Sequence, residues 1–242
     1  MSRVILIAGA AGSGKGTAAK VVRKTLPGTQ EWALADPLKQ FVGGIFGWSH
    51  ERLYGPSELR NQVDELPPLH DYFLSFRADR WQLAELVTVW LQDKQPADRS
   101  LEVWRDEIAD RLNGWWVDHI EAYVERTGGI TPRHALQTLG TETGRGIDEN
   151  VWVRALEWRV KNSEVPVVVV SDARFNNEFE AAARNGWELW HVERTAAGLD
   201  GEAGRHASEV DMHGPTLRQL RTHHYVNEGT IADLEGVVRA WC

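Results

Sequence analysis

Short uninterrupted apolar runs alternate with stretches of helical periodicity along this chain. Val4-Ile5-Leu6-Ile7-Ala8 contains no polar position, which predicts a strand buried on both faces over residues 3–9. Thr17 to Arg23 reads as helix, continues to about Lys24 and is broken by Pro27-Gly28. Trp32 to Ala35 is a short apolar run ending at Asp36-Pro37-Leu38-Lys39, and Gln40 to Phe46 is helical in pattern. The plainest strand is Val165 to Val170, whose proline falls at the start, where a strand tolerates it. A helix from Glu178 to Arg184, a turn at Asn185-Gly186, strand Glu188 to Val192, short strand His224 to Val226 and helix Ile231 to Trp241 complete the chain.

The middle differs. From about residue 50 to 130 no strand-like run occurs, and apolar residues recur at helical spacing in Trp81 to Leu91 and in Val103 to Val124. Thr131-Pro132-Arg133 opens a further helix, with Thr131 as N-cap and Pro132 in the first turn, and Val151 to Val160 is another. Residues 194–214 are polar and glycine-rich without period and read as a loop or lid. Strands alternating with helices predict a three-layer α/β fold on a parallel sheet of about five strands. The expected organisation is one domain over residues 1–242, with a helical insertion at 50–130 and a lid at 194–214.

Totals narrow the function classes. A net charge of −8 argues against a global basic field for nucleic acid or membrane surfaces. The single cysteine, Cys242, fits a reducing cytoplasm, and neither a signal-peptide pattern nor a membrane-length apolar stretch is read. Twelve tryptophans fall mostly among apolar neighbours at helical spacing, which predicts core packing.

The candidate chemistry starts at Gly9-Ala10-Ala11-Gly12-Ser13-Gly14-Lys15-Gly16-Thr17, between a strand and a helix. Small residues let backbone N–H groups converge on a phosphate, the helix N-terminus adds partial positive charge, and Lys15 reaches the β- and γ-phosphates as a point charge. Gly16 stands where a magnesium-binding Ser or Thr usually follows the lysine, and Thr17 comes next. Val167-Val168-Val169-Val170-Ser171-Asp172 resembles a Walker B strand, whose aspartate holds Mg2+. Arg174 is a candidate for neutralising transferred phosphate, with a salt bridge to Asp172 or Glu178 as the structural alternative. Arg133 and Gln137 share one helix face, and Glu142 and Arg145, expected in a turn after Gly140, are either ligand-facing or a solvated polar surface.

An ordered series joins these pieces: the G-K-G-T loop, Ala35-Asp36-Pro37-Leu38-Lys39, Leu53-Tyr54-Gly55, Leu136-Gln137-x-Leu139-Gly140-Thr141-Glu142-x-x-Arg145, Asp172-x-Arg174-Phe175-x-Asn177-Glu178 and His206-Ala207-Ser208-Glu209. It resembles the bacteriophage-type deoxynucleoside monophosphate kinases, a branch of the P-loop kinases, from residue 3 to about 236, with residues 63–130 unmatched. The resemblance implies ATP as donor and Mg2+ as cofactor. Gly12, Ser13, Gly14, Lys15, Gly16 and Thr17 would cradle ATP, with Thr17 and Asp172 toward the metal. Asp36, Leu38 and Lys39 would border the acceptor monophosphate, Arg133 would grip its phosphate, and Gln137, Glu142 and Arg145 would line the nucleoside pocket, with Arg60 a further candidate. Lys15, Arg174 and Asp36 form the implied catalytic set. Arg194 and Arg205 would belong to an ATP lid ending near His206, and Asn227-Glu228-Gly229 resembles the adenine-side loop. The phage branch often carries an acid where this chain has Gly16. The implied partners are small nucleotides, without nucleic acid or membrane, and a homodimer is left open. Dephospho-CoA kinase or adenylate kinase chemistry is the nearest rival, and a nucleotide-dependent switch ATPase is the rival from another class.

Overall fold

The computed structural model describes residues 2–64, 100–195, 211 and 214–242. The expected helix at 81–91 and most of the expected lid, including Arg205 and His206, lie outside the described residues. The chain divides into two compact units: Met1–Leu34 with Leu156–Cys242, and Ala35–Ala155. The second unit extends beyond the expected insertion in both directions. Among the described residues, no helix is long and apolar enough to cross a membrane.

The first unit holds one five-stranded sheet: β1 (Arg3–Ala8), β2 (Thr29–Trp32), β3 (Val167–Ala173), β4 (Glu188–Glu193) and β5 (His223–Val226). Their order is β2-β3-β1-β4-β5, and every pairing is parallel. The uninterrupted apolar runs occupy the strands covered on both faces, as parallel sheets require. On one face Ile5, Ile7, Val169, Trp190 and Val192 pack with Ala18, Val22, Leu234 and Val238, from the helices Lys15–Thr25 and Ile231–Trp241.

Two strands differ from the sequence reading for one reason, backbone pairing. β2 is Thr29–Trp32, not the apolar 32–35, because an edge strand hydrogen-bonded only to β3 accommodates polar side chains. β3 runs on through Ser171 and Asp172 to Ala173, which pairs with Ala8 after a register irregularity. Asp36 therefore does not close a strand; it opens the helix Asp36–Phe46, with Pro37 in the first turn. The helix Pro215–Leu220 had no apolar period long enough to show.

The second unit is helical among its described residues. Leu101–Trp115 continues through a π-helical segment, Trp116–Glu121, into Ala122–Thr127. Ile108, Leu112, Trp115, Trp116 and Ile120 bury against Leu38, Val42, Phe46, Leu53 and Leu139. Trp115 and Trp116 are almost fully buried, so tryptophan does pack this core. Thr131 caps Pro132–Gln137 as expected, accepting from the His134 N–H at 3.1 Å.

One ion pair fastens the chain's end to the sheet. Arg3 on β1 donates to both oxygens of Glu188 on β4, at 2.6 and 3.1 Å, and to the carbonyls of Trp241 and Cys242 at the close of the last helix. Burial alone pushes the Glu188 carboxyl up, and the hydrogen bonds from Arg3 and Trp190 with the Arg3 charge outweigh it, so the group sits below its ordinary value of 4.5. A depressed carboxyl stabilises the fold fully above the unfolded value and loses that contribution as pH falls through the folded one. Thermal midpoints of wild type and Glu188→Gln should therefore differ at neutral pH and converge below pH 4.5. A gap that stays constant down to about pH 3 contradicts this linkage.

Candidate nucleotide site

β1 sits at the point where the sheet's connections diverge: its own connection leads toward β2, and that of β4 leads to β5 on the other side. Ligands of open α/β sheets bind outside the carboxyl ends of strands at such a point. The loop Gly9–Gly14 leaves β1 there and delivers the chain to the helix Lys15–Thr25. Its course is set by close backbone approach. Gly9 has φ +154°, and a Cβ there would lie 2.2 Å from the Val192 carbonyl oxygen of β4. Gly14, at φ +110°, would place a Cβ 2.8 Å from both Asn227 Nδ2 and Leu234 Cδ2. Only glycine satisfies either position.

Ser13 is fully buried in this loop, and Asn227 Nδ2 donates to its carbonyl at 2.8 Å. Asn227 is itself buried, and its own N–H donates to the Glu193 carbonyl at 2.7 Å. The loop is thus tied to the ends of β4 and β5. Lys15 Nζ donates to the Gly9 and Ala10 carbonyls at 2.5 and 2.8 Å. Gly16 faces open space, with nothing within 4 Å of an added Cβ, so packing does not exclude the acid common at that position.

Beside the loop, Asp172 precedes Ala173, the β3 residue paired with Ala8. Its Oδ1 accepts from the Leu34 N–H at 2.9 Å. Thr17 lies half-buried in the first turn of the loop's helix. A hydroxyl and a carboxylate are hard oxygen ligands, the donor set that suits Mg2+. The buried Glu178 carboxylate accepts from the N–H groups of Arg174 and Phe175, at 2.6 and 3.1 Å. That fixes the backbone from which the Arg174 side chain leaves.

The described ends of the 194–214 segment are anchored. Thr195 N–H donates to Glu228 at 2.7 Å, and the Thr195 hydroxyl first, then this backbone bond, hold the Glu228 carboxyl below its ordinary value. Asp211 accepts from both nitrogens of Asn176, at 3.0 and 2.9 Å. Arg194 is exposed.

The second unit carries the remaining residues. Asp36, Leu38 and Lys39 share the first turn of Asp36–Phe46, where Leu38 is core and would lie 2.7 Å from a Cβ on Gly140. Lys39 Nζ lies 4.1 Å from the Tyr54 ring centre, and His50 stacks on Tyr54 at 4.2 Å and 7°. Arg60 is in the short helix Ser57–Asn61. Arg133 and Gln137 are both exposed, one turn apart on Pro132–Gln137. Glu142 is not in a turn. Thr138–Gly144 is a π-helical segment running straight into Arg145–Ile147, a device found often at functional sites.

Three contacts support that wider turn. Trp115 Nε1 donates to the Thr138 hydroxyl at 2.9 Å, Trp152 Nε1 to the Gly140 carbonyl at 2.9 Å, and His119 Nδ1 lies 3.4 Å from Glu142. The neighbouring π-helical segment is held by His134, whose Nε2 donates to the His119 carbonyl at 2.9 Å while its ring stacks on Tyr123. Desolvation by burial lowers the His134 pKa below its ordinary 6.5. The resemblance singled out Tyr54 within Leu53-Tyr54-Gly55 without assigning it a role, and sequence reasoning missed His119 and Trp152 as supports. Nothing local pointed to His119.

A glycine-rich loop pinned between strand tips, with a lysine at the following helix and a carboxylate on the neighbouring strand, defines an α/β protein of the P-loop nucleotide-binding class. The comparisons narrow the class. The sequence profile described as "Deoxynucleotide monophosphate kinase" matches residues 3–237, and the chain belongs to that family. It is 26% identical over 196 residues to the "Deoxynucleoside-5'-monophosphate kinase" of Escherichia phage T5, covering 74% of this chain and 71% of the relative. A protein of Acanthamoeba polyphaga mimivirus, provisionally named as a deoxynucleotide monophosphate kinase, is 26% identical over 247 residues, covering 95% and 91%. The chain is therefore a phosphotransferase that phosphorylates deoxynucleoside monophosphates, with ATP as donor by its kinase class.

The Asn227 tie is directly testable. Asn227→Ala leaves the buried Ser13 carbonyl without its donor, a loss of about 1–3 kcal/mol. The thermal midpoint should fall by roughly 2–10 °C and the KM for ATP should rise with it. A variant with unchanged midpoint and unchanged KM for ATP contradicts the anchoring role.

Proposed function

We propose that the transfer is in line, from ATP to a deoxynucleoside monophosphate. Gly12 to Thr17 offer backbone N–H groups and the Lys15 ammonium to the donor phosphates. Lys15 exchanges the Gly9 and Ala10 carbonyls for phosphate oxygens when ATP binds. Arg174 neutralises the charge of the transferring group. Thr17 and Asp172 hold Mg2+, directly or through its water shell, and the ion when bound offsets phosphate charge. Arg194 and Asn227 belong to the donor side.

On the acceptor side Lys39 and Arg133 bind the monophosphate, and Arg60 adds a further cation. Gln137, Glu142 and Arg145 meet the nucleoside, and Leu38 backs the wall behind them. Asp36 orients the acceptor. A phosphate monoester has a second pKa of about 6, so the attacking oxygen is already ionised and no strong base is required. Positioning and charge neutralisation supply the rate. Nucleic acid has no part in this reading, and the work place is the cytoplasm.

The observation that carries the reading is the Lys15 ammonium at the glycine loop, 2.5 and 2.8 Å from carbonyls that a phosphate displaces. A coupled ADP-release assay with Mg-ATP and each common ribo- and deoxyribonucleoside monophosphate tests it. Deoxynucleoside monophosphates should raise turnover well above the acceptor-free blank. Lys15→Ala should lose at least ~100-fold. Asp36→Asn should lose moderately, since abolition would mean that Asp36 removes a proton. Rates equal to the blank across the panel overturn the proposal.

A further inference from the structure

We propose that His191, Glu193 and His224 form a binding site for a divalent transition-metal ion, Zn2+ foremost. Strand alternation brings the three side chains to one face of the sheet. Trp190 and Val192 of β4 pack into the core with Leu234 and Val238, so His191 and Glu193 leave the opposite face of the sheet. His224 is the register partner of His191 on the parallel strand β5, which places its side chain on that same face. Residues i and i+2 of one strand and the paired residue of its neighbour thus converge. A ligand atom from each lies within 4.8 Å of the others.

The separations suit a metal. Four-coordinate bonds of about 2.0–2.1 Å set ligand atoms roughly 3.3 Å apart. His224 Nε2 and Glu193 Oε2 are already 2.9 Å apart, and side-chain rotation closes the remainder. The rings of His191 and His224 lie 5.1 Å apart at 27°. His191 is buried, with 3% exposure, which gives a fixed ligand, whereas Glu193 and His224 are accessible enough to admit an ion. Two imidazoles and one carboxylate select Zn2+ and its transition-metal neighbours over Mg2+ and leave a position for water.

The structure also contains the site's competitor. Arg221 Nη1 lies 3.2 Å from His191 Nδ1. A guanidinium only donates, so Nδ1 is the acceptor and the ring proton sits on Nε2. An ion taking Nδ1 replaces Arg221, and an ion taking Nε2 sends the proton to Nδ1, against a donor. Either way Arg221 must swing out, and its removal should favour the metal. A bound ion would clip β4 to β5 at Glu193, whose carbonyl accepts from the Asn227 N–H, at the end of the sheet that anchors the glycine loop.

The test is titration of metal-free, full-length protein with ZnCl2 in competition with a chromogenic chelator, using Co2+ absorption as a second readout. One equivalent should bind with Kd below about 10 µM. His224→Ala and the near-isosteric Glu193→Gln should each weaken binding at least ~10-fold, and Arg221→Ala should tighten it. None of the three effects depends on kinase activity, and thermal melts without metal confirm that each variant is folded. No stoichiometric binding, or binding of unchanged affinity in both His224→Ala and Glu193→Gln, overturns the proposal.

Discussion

The backbone of Gly9 runs so close to β4 that a single added carbon would meet the Val192 carbonyl oxygen at 2.2 Å. That contact sets where the chain can turn after β1, and most of the first unit follows from it. The loop must then climb past Asn227 and Leu234, which restricts Gly14 as well, before the helix Lys15–Thr25 begins. The five strands are parallel so that β1 and β4 present their carboxyl ends together. Asn227 closes the arrangement from β5 with its bond to the Ser13 carbonyl. A phosphate-binding loop of small residues has no side chains to hold its own shape, so neighbouring backbone and one buried amide hold it instead.

The second unit solves a different problem, the display of polar side chains from a tightly packed helical core. Among its described residues the π-helical segments Trp116–Glu121 and Thr138–Gly144 widen their turns at positions braced by other side chains. Trp115 and Trp152 fill space and spend their single indole donors on Thr138 and Gly140. These two tryptophans thus serve packing and hydrogen bonding at once. Glu142 and Arg145 leave a braced helix rather than a loose turn, and bracing of this kind limits the orientations open to their side chains.

What could be read beforehand divides along physical lines. Uninterrupted aliphatic runs marked β1 and β3, because strands buried on both faces leave a strong local signal. Lys15 and its glycines were legible because the backbone geometry demands those residue types. β2 was misplaced by three residues, since an edge strand owes its existence to pairing with β3 and not to its own side chains. The strand tip at Ser171 and Asp172 and the helix start at Asp36 were blurred by polar residues and a proline in permitted positions. Glu142 was misread as a turn residue because Gly140 suggested a break. That glycine instead allows close contact with Leu38, which no local pattern shows. The His191, Glu193 and His224 cluster was invisible in sequence for the same reason: strand register alone unites residues 191 and 224.

The central claim is that the glycine loop delivers the terminal phosphoryl group of ATP to a deoxynucleoside monophosphate. Single-turnover reaction of excess enzyme with ATP labelled at the γ-phosphate, mixed with a deoxynucleoside monophosphate, measures that transfer most directly. Label appearing in the β-phosphate of the deoxynucleoside diphosphate, at the rate at which labelled ATP is lost, is the predicted result. Label released as inorganic phosphate at a rate indifferent to the acceptor would contradict it.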